Sequence, residues 1–226
     1  MGAQNASITT LSVALKSAPQ VSILWRIVNV GERLAAAALL LVLLPWLALS
    51  AFLVAVLSRR SPWIAHRRVG QHGRSIWVMK LRTMWNSGVR EPQKFRLLER
   101  LEADILPEPK TAADVRVTSR FAAWCRKYSI DECPQFWHVL RGEMALVGPR
   151  PLTATEIEVH YGPDSVELLS RKPGITGLWQ IKGRSRLTYP QRRRLDLFLI
   201  RRWSFSLYTK ILFASIPRIV TGRDAW

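Results

Sequence analysis

The sequence predicts an α+β fold that is mostly α, and three stretches carry this prediction. From Leu34 to Leu57 the chain has 24 residues without a charge, which predicts a membrane-associated helix. Short, partly alternating runs on either side of Gly70 and Gly73 predict a small β-hairpin. Between Thr188 and Trp226, apolar residues at helical spacing predict surface amphipathic helices around a compact core.

The charge of the chain narrows the class of partner. Lysine and arginine number 34 and aspartate and glutamate 16, giving a formal net charge of +18. Such an excess indicates an anionic partner, either nucleic acid, an anionic membrane surface or a phosphorylated substrate. Ten tryptophans favour the membrane, because tryptophan prefers the headgroup region. Cys125 and Cys133 form neither a disulfide framework nor a zinc pattern, so reduced thiols are expected.

The N-terminal third divides into a tail and a hydrophobic segment. Residues 1–20 are predicted to be a disordered tail, residues 21–60 a membrane helix broken at Pro45, and residues 61–226 a cytoplasmic domain. Arginines flank the segment on both sides, which favours both ends in the cytoplasm. These residues are Arg26, Arg33, Arg59, Arg60, Arg67 and Arg68. The residues alone leave open a re-entrant helix-break-helix and an ordinary kinked transmembrane helix.

The predicted hairpin leads into a strand that carries two cations. Lys80 and Arg82 are two residues apart, so they share one strand face and could hold a phosphate. The alternative is a solvated edge strand. Residues 86–111 are charged and contain prolines, and they predict a variable insert with a helix near Glu91 to Asp104.

A carboxylate pair follows the next predicted helix. Asp131 and Glu132 are adjacent, and adjacent carboxylates usually have a cation beside them. Arg126 lies five residues before Asp131, near enough to pair with it or with a phosphate. The turn Gly148-Pro149-Arg150-Pro151 presents one guanidinium. A carboxylate pair with a held arginine suits phosphate chemistry with a divalent metal. The alternative is a helix start in which Ser129, Asp131 and Glu132 serve as cap and first-turn acids.

The C-terminal part adds more cations. Residues 153–170 predict one or two helices, broken at Gly162-Pro163. Residues 171–186 carry three glycines and five cations, including Arg184, and predict a phosphate-binding loop. The two amphipathic helices that follow are predicted to divide near Ser204. Asp196 stands among arginines, and it is either an ion-pair partner or a group behind the site.

These motifs resemble the monotopic polyprenyl-phosphate phosphoglycosyl transferases, a family of bacterial sugar transferases. The match runs from about Val21 to the C-terminus and is most specific at Ser129–Gln135 and Leu140–Pro151. It also includes the proline-broken hydrophobic segment and Lys172–Gly177. The resemblance implies the small, catalytic-core form with a re-entrant membrane helix, on the cytoplasmic face of the bacterial inner membrane.

The resemblance also implies a reaction and roles for residues. A UDP-sugar would give its sugar 1-phosphate to undecaprenyl phosphate and release UMP, which begins the assembly of an exopolysaccharide, capsule or O-antigen. Asp131 would be the nucleophile of a two-step route, and Asp131 and Glu132 would form the Mg²⁺ site. The remaining residues would contact phosphate or nucleotide, with Asp196 in a less defined role. They are Lys80, Arg82, Arg126, Arg150, Arg184 and Asp196.

The chain departs from the family pattern at three places, and two other classes compete. Cys133 replaces a usual leucine, His138 replaces a usual asparagine, and a common glycine before Arg126 is missing. A membrane-tethered nucleic-acid-binding protein would explain the charge but not the carboxylate pair. A non-catalytic scaffold for glycan-assembly enzymes is the other alternative. We therefore expect membrane lipid and no nucleic acid as partners, and the sequence leaves the sugar and a homodimer open.

Overall fold

The computed structural model describes residues 22–85, 97–101, 117 and 119–222. The helices are α1 (Ile23–Ser58), α2 (Arg120–Lys127), α3 (Phe136–Leu140), α4 (Ala154–His160), α5 (Ser165–Leu168), α6 (Leu178–Lys182), α7 (Tyr189–Arg201) and α8 (Phe205–Thr221). The strands are β1 (Trp63–Val69), β2 (Ser75–Leu81), β3 (Leu98–Leu101), β4 (Ala145–Val147) and β5 (Gly174–Thr176). Short 3-10 helices cover Gln71–Gly73, Ile130–Gln135, Gly162–Asp164 and Arg184–Arg186. The mostly helical α+β class is confirmed.

Helix α1 runs through Pro45 without interruption. It contains 36 residues, so its length is about 54 Å. The sequence predicted a break at Pro45, and the structure instead has one helix, because a proline removes a single backbone donor and the bonds on either side can persist. In length and composition α1 is the one helix of the described residues that could cross a membrane.

One face of α1 packs along the rest of the protein. Ala36 packs with Val78 in one cluster, and Val54 packs with Leu81 in another. Glu32, which is buried, accepts hydrogen bonds from the Leu146 N–H at 2.7 Å and from the Tyr208 hydroxyl at 2.6 Å. Large apolar side chains are exposed elsewhere on α1, among them Leu34, Leu41, Val42, Leu44, Trp46, Leu49, Phe52 and Val56. The helix therefore has a packed stripe and an apolar face without a protein neighbour among the described residues.

The predicted hairpin is confirmed. Strands β1 and β2 are antiparallel, with Trp63 opposite Leu81 and Val69 opposite Ser75. Gly73 has a φ of 76°, a conformation that glycine adopts without strain and that closes the turn. Ile76 and Val78 are buried on the inner face of β2. Because side chains alternate, Lys80 projects from this same inner face.

Strand β3 corrects the prediction of a helix near Glu91 to Asp104. Residues 98–101 form a strand that pairs in parallel with β1, with Trp63 opposite Leu98. The other edge of β1 is taken by β2, so pairing with this free edge decides the conformation over local helix propensity. The rest of the predicted helix and insert, and the predicted tail, lie outside the described residues.

Three glycines allow two short segments to approach closely. The Gly148 N–H donates to the Thr176 carbonyl, and the Gly174 N–H donates to the Pro149 carbonyl. A Cβ on Gly174 would lie 2.1 Å from the nitrogen of Gly148, and one on Gly177 would lie 2.4 Å from the oxygen of Gly148. Only glycine permits this contact, which fixes the turn that precedes Arg150.

The C-terminal predictions are largely confirmed. Helices α7 and α8 meet at Ser204, whose hydroxyl accepts from the Leu207 N–H and caps α8. Helices α4 and α5 are separated at Gly162–Asp164, as the glycine and proline predicted. The segment 171–186 was predicted as a loop, but it contains β5 and α6 because β5 pairs with β4.

Candidate active site

The described residues form a cavity of about 730 Å³. Its walls come from α1, both strands of the hairpin, the 3-10 helix with Asp131, and helices α6, α7 and α8. Three carboxylates line it, namely Asp131, Glu132 and Glu156. Seven basic side chains also line it, namely Arg68, Lys80, Arg126, Arg150, Arg184, Arg192 and Arg218. The excess of positive charge suits an anionic ligand.

The carboxylate pair stands on the 3-10 helix Ile130–Gln135. Ser129, just before it, has a φ of 57°, and its side chain does not cap the helix. Instead, the Ser129 hydroxyl accepts a hydrogen bond from Arg184 Nη2 at 3.0 Å. Asp131 and Glu132 do occupy the first turn, so the alternative interpretation was right about their place and wrong about the role of Ser129.

Two of the predicted cations hold Glu132. Lys80 Nζ donates to Glu132 Oε1 at 2.7 Å, and Arg150 Nη2 lies 3.7 Å from the same oxygen. The Arg150 guanidinium also lies over the Trp179 ring, 5.7 Å from its centroid. The structure therefore brings together a carboxylate and two cations from three distant parts of the sequence.

Arg184 and Arg126 complete the predicted group around the pair. Burial lowers the pKa of Arg184, and the neighbouring Arg150 and Arg218 act in the same direction, while Glu132 opposes them. A buried guanidinium keeps its charge at neutral pH, so it remains an anion ligand. Arg126 lies in the last turn of α2 and lines the cavity.

Arg82 is not brought to this cavity. Strand β2 ends at Leu81, so Arg82 does not continue the face that carries Lys80. Its side chain is buried, donates to the Ser61 carbonyl at 2.8 Å and forms an ion pair with Glu99 of β3. The guanidinium links the hairpin to β3, so the structure gives it a structural partner rather than a place near Asp131.

Asp196 also lies outside the cavity lining. It is fully buried in α7 and accepts a hydrogen bond from the Tyr161 hydroxyl at 2.7 Å. Burial raises its pKa to about 7, although that hydrogen bond and the charges of Arg150 and Arg192 act in the opposite direction. The sequence left two interpretations of Asp196 open, an ion-pair partner and a group behind the site. Its buried position outside the cavity lining fits the second better.

Sequence reasoning missed several cavity residues, among them Arg192, Tyr189, Glu156 and Arg218. Arg192 lies 4.8 Å from the centroid of Trp179 and 5.1 Å from that of Tyr189. The Tyr189 hydroxyl donates to Glu156 at 3.2 Å. Arg218, in the last turn of α8, also lines the cavity. The sequence offered one signal for Arg192, because it lies one helical turn before Asp196 and therefore on the same helix face. No comparable pattern marked Arg218, Glu156 or Tyr189 as cavity residues.

Cys133 and His138, which depart from the family pattern close to the Asp131–Glu132 pair, both have contacts within the structure. His138 is buried, its Nε2 accepts from the Met79 N–H at 3.1 Å, and its Nδ1 lies 2.7 Å from Glu143. The imidazole therefore ties α3 to β2 next to Lys80. Cys133 lies 3.8 Å from the Ser129 carbonyl, and burial raises the pKa of its thiol to about 11.

The carboxylate pair fits one divalent cation held jointly with a substrate. Asp131 and Glu132 offer the oxygen ligands that Mg²⁺ prefers, and Mg²⁺ commonly takes one or two carboxylates with water and phosphate. Within the described ranges, no group of three His, Cys, Asp or Glu side chains is placed to hold a metal. Two carboxylates would leave other positions on such an ion to water or a ligand.

Comparison with known proteins agrees with these motifs. Residues 24–222 match the family model of the bacterial sugar transferases. The exopolysaccharide production protein ExoY of Rhizobium meliloti is 36% identical over 197 residues, which are 85% of each chain. The UDP-galactose-lipid carrier transferase of Erwinia amylovora is 37% identical over 190 residues, 84% of this chain and 39% of that protein.

A third relative has the same partial overlap. The undecaprenyl-phosphate galactose phosphotransferase of Salmonella typhimurium is 37% identical over 165 residues, which are 70% of this chain and 33% of that protein. This chain thus spans most of ExoY and about a third of the two longer relatives. The residues that match the family model include the carboxylate pair, the hairpin and the helices that line the cavity. The protein therefore belongs to the bacterial sugar transferase family.

Proposed function

We propose that this protein transfers a sugar 1-phosphate from a UDP-sugar to undecaprenyl phosphate and releases UMP. The observation that carries the proposal is one cavity that holds Asp131 and Glu132 among seven basic side chains. Two anionic substrates can meet in such a cavity because the arginines and Lys80 offset their charge. The names of the relatives, which include an undecaprenyl-phosphate galactose phosphotransferase and an exopolysaccharide production protein, support this reaction class.

The reaction proceeds in two displacements. In the first, a carboxylate oxygen of Asp131 attacks the phosphorus that bears the sugar, and the bond from that phosphorus to the bridging oxygen breaks. UMP leaves with that oxygen, and an aspartyl phosphosugar remains. In the second, an oxygen of undecaprenyl phosphate attacks the same phosphorus. The aspartyl oxygen–phosphorus bond breaks, and the Asp131 carboxylate is restored.

The surrounding residues prepare these steps. Lys80 and Arg150 hold Glu132, and in this proposal they also offset the charge of the donor diphosphate. Arg184 donates a hydrogen bond to Ser129, which directly precedes the 3-10 helix that carries Asp131. This bond fixes the Arg184 guanidinium close to the carboxylate pair. When bound at Asp131 and Glu132, Mg²⁺ would neutralise charge on the phosphates and polarise the phosphorus–oxygen bond. A chelator should therefore abolish turnover, and added Mg²⁺ should restore it.

The membrane supplies the acceptor in this proposal. The exposed apolar face of α1 would enter the bilayer, and the arginines on both flanks favour a re-entrant path with both ends in the cytoplasm. Since α1 is continuous, that path requires a bend at Pro45 rather than a gap. Cysteines placed at Arg26 and Arg60 in a cysteine-free background should both react from the cytoplasmic side, and labelling from opposite sides would reject the re-entrant path.

Release of UMP tests the function directly. Protein in detergent would be mixed with Mg²⁺, undecaprenyl phosphate and a panel of UDP-sugars. We expect UMP and a lipid-linked diphosphate sugar to form together with at least one donor. UMP should not accumulate beyond one equivalent of enzyme when the acceptor is omitted. Absence of UMP across the panel would reject the function and would favour a non-catalytic role.

A further inference from the structure

Helices α1 and α8 meet at one end through a buried hydrogen bond. The Tyr208 hydroxyl, in the first turn of α8, donates to Glu32 Oε1 at 2.6 Å. Trp25 of α1 packs on the Tyr208 ring at a centroid distance of 5.9 Å. Polar and aromatic contacts therefore fix the start of α8 against the N-terminal part of α1.

Towards their C-terminal ends, both helices contact α2. Val54 of α1 packs with Cys125 of α2 in one buried cluster. Gly222, at the end of α8, lies so close to Lys127 that a Cβ there would be 2.6 Å from Lys127 Cγ. The two helices are thus joined at the start of α8 and bridged by α2 at its end, and residues of both helices line the cavity.

The residues that line the cavity from this frame are of two kinds. Leu39 and Leu43 of α1 and Ile219 of α8 are apolar, and Ser215 and Arg218 of α8 are polar. Farther out, the same two helices expose large apolar side chains, such as Leu41 on α1 and Val220 on α8. We name the part of the cavity lined by Leu39, Leu43 and Ile219 the interhelical slot.

Arg218 and Arg184 line the same cavity. The charge of Arg218 also helps to lower the pKa of Arg184, after burial and the charge of Arg150. Both guanidinium groups line the cavity that contains Asp131. Two arginines facing one space form a suitable site for a phosphate, because each offers several charged donors.

We propose that the interhelical slot is the binding site of the polyprenyl acceptor, with its phosphate between Arg184 and Arg218. The isoprenoid chain leaves over Leu39, Leu43 and Ile219 towards the exposed apolar faces. The assignment rests on the proposed function, since it names the place of the second substrate. The part of the cavity where Arg150 and Arg192 lie over Trp179 is left to the nucleotide donor.

The shape of each substrate supports this division. A polyprenyl phosphate has one anionic end and a long apolar chain, so it needs an anion site that continues into an apolar exit. The slot provides both features next to the nucleophile. A nucleoside diphosphate sugar is polar throughout, so an apolar exit offers it little.

Separate Michaelis constants for the two substrates test the assignment. Arg218→Ala should raise the KM for undecaprenyl phosphate by about tenfold or more, because a charge-assisted hydrogen bond is lost. Its KM for the UDP-sugar should change by less than about twofold. Arg194→Ala removes an exposed arginine of α7 that does not line the cavity, and it should leave both constants unchanged.

A second pair of variants tests the proposed path of the isoprenoid chain through the interhelical slot. Leu43→Trp narrows the slot and should also raise the acceptor KM, whereas Leu41→Trp, at an exposed position of the same helix, should not. Thermal unfolding would verify that each variant is folded. An unchanged acceptor KM in Arg218→Ala, or an equal rise in both constants, would overturn the assignment. Absence of UMP release by the unsubstituted protein would overturn the proposed function, and the assignment with it.

Discussion

Lys80 Nζ donates to Glu132 Oε1 at 2.7 Å, and this contact joins β2 to the carboxylate pair. Both side chains are about four-fifths buried, with exposures of 19% and 21%. His138 holds the neighbouring Met79 N–H, so the backbone that carries Lys80 is fixed from the other side. The lysine is therefore held between the backbone that His138 fixes and the carboxylate pair.

Replacement of Lys80 should affect catalysis more than folding. Lys80→Met keeps the approximate length of the side chain and removes its charge. Of the two cations Lys80 and Arg150, Glu132 then keeps only Arg150. We expect kcat/KM to fall by about 10- to 100-fold, because one group that offsets phosphate charge is lost. Lys210→Met, at an exposed position of α8, is the matched control. A change of twofold or less would show that Lys80 only neutralises Glu132.

Replacement of Asp131 tests the nucleophile. Asp131→Asn should lower turnover by about a thousandfold or more, since an amide oxygen does not form the covalent intermediate. Release of UMP would be measured under saturating substrates, together with trapping of phosphosugar on the protein. Glu158→Gln removes an exposed acid of α4 and should retain full activity. Full turnover by Asp131→Asn would exclude the covalent route.

A pair of glycine substitutions tests the close approach of β4 and β5. Gly174→Ala should lower the unfolding temperature by about 5 °C or more, because its Cβ would lie 2.1 Å from the nitrogen of Gly148. Gly31→Ala is the control, because a Cβ there has no atom within 4 Å and alanine favours a helix. Equal stability of the two variants would contradict the backbone contact that we describe.

Asp196 should make stability depend on pH in an unusual direction. Its pKa is raised from about 3.9 in an unfolded chain to about 7 in the fold, so folding favours the protonated acid. The stability that it contributes is fully present below about pH 4 and is lost as the pH rises through 7. Asp196→Asn should therefore flatten the fall in unfolding temperature between pH 5 and pH 8. An identical fall in both proteins would contradict the raised pKa.

Cys133 should react slowly with maleimides at neutral pH. Burial, followed by the charges of Asp131 and Glu132, raises the pKa of its thiol to about 11, so little thiolate is present at pH 7. Labelling should accelerate as the pH is raised to 9, and complete labelling should inhibit UMP release in part. Cys133→Leu should keep turnover and lose this sensitivity. Inhibition that persists in this variant would place the reactive thiol elsewhere.

Local patterns in the sequence were sufficient for much of the fold. The glycines and alternating residues before Lys80 predicted the hairpin, and apolar spacing predicted α7 and α8. The Asp131–Glu132 pair and the arginine turn were identified because their residue types are unusual side by side. Each of these signals lies within a few residues of the feature that it predicts.

Long-range pairing explains what the sequence did not predict. Residues 98–101 form a strand only because β1 has a free edge. Arg82 is drawn from the cavity by Glu99, a partner that appears only once this strand is in place. Arg218 joins the cavity because Tyr208 and Glu32 fix the start of its helix. No pattern near any of these residues contains the partner that decides its position.

Glu32 also has a consequence for the depth at which the protein sits. Its carboxylate holds the Leu146 N–H of β4, and β4 leads within a few residues to the turn that carries Arg150. This hydrogen bond thus connects α1 to the segment that leads to Arg150. In the proposed bound state, bilayer thickness would act through α1 on the height of the arginines above the lipid phosphates. Membrane composition would then tune the supply of acceptor without any change in the active-site residues.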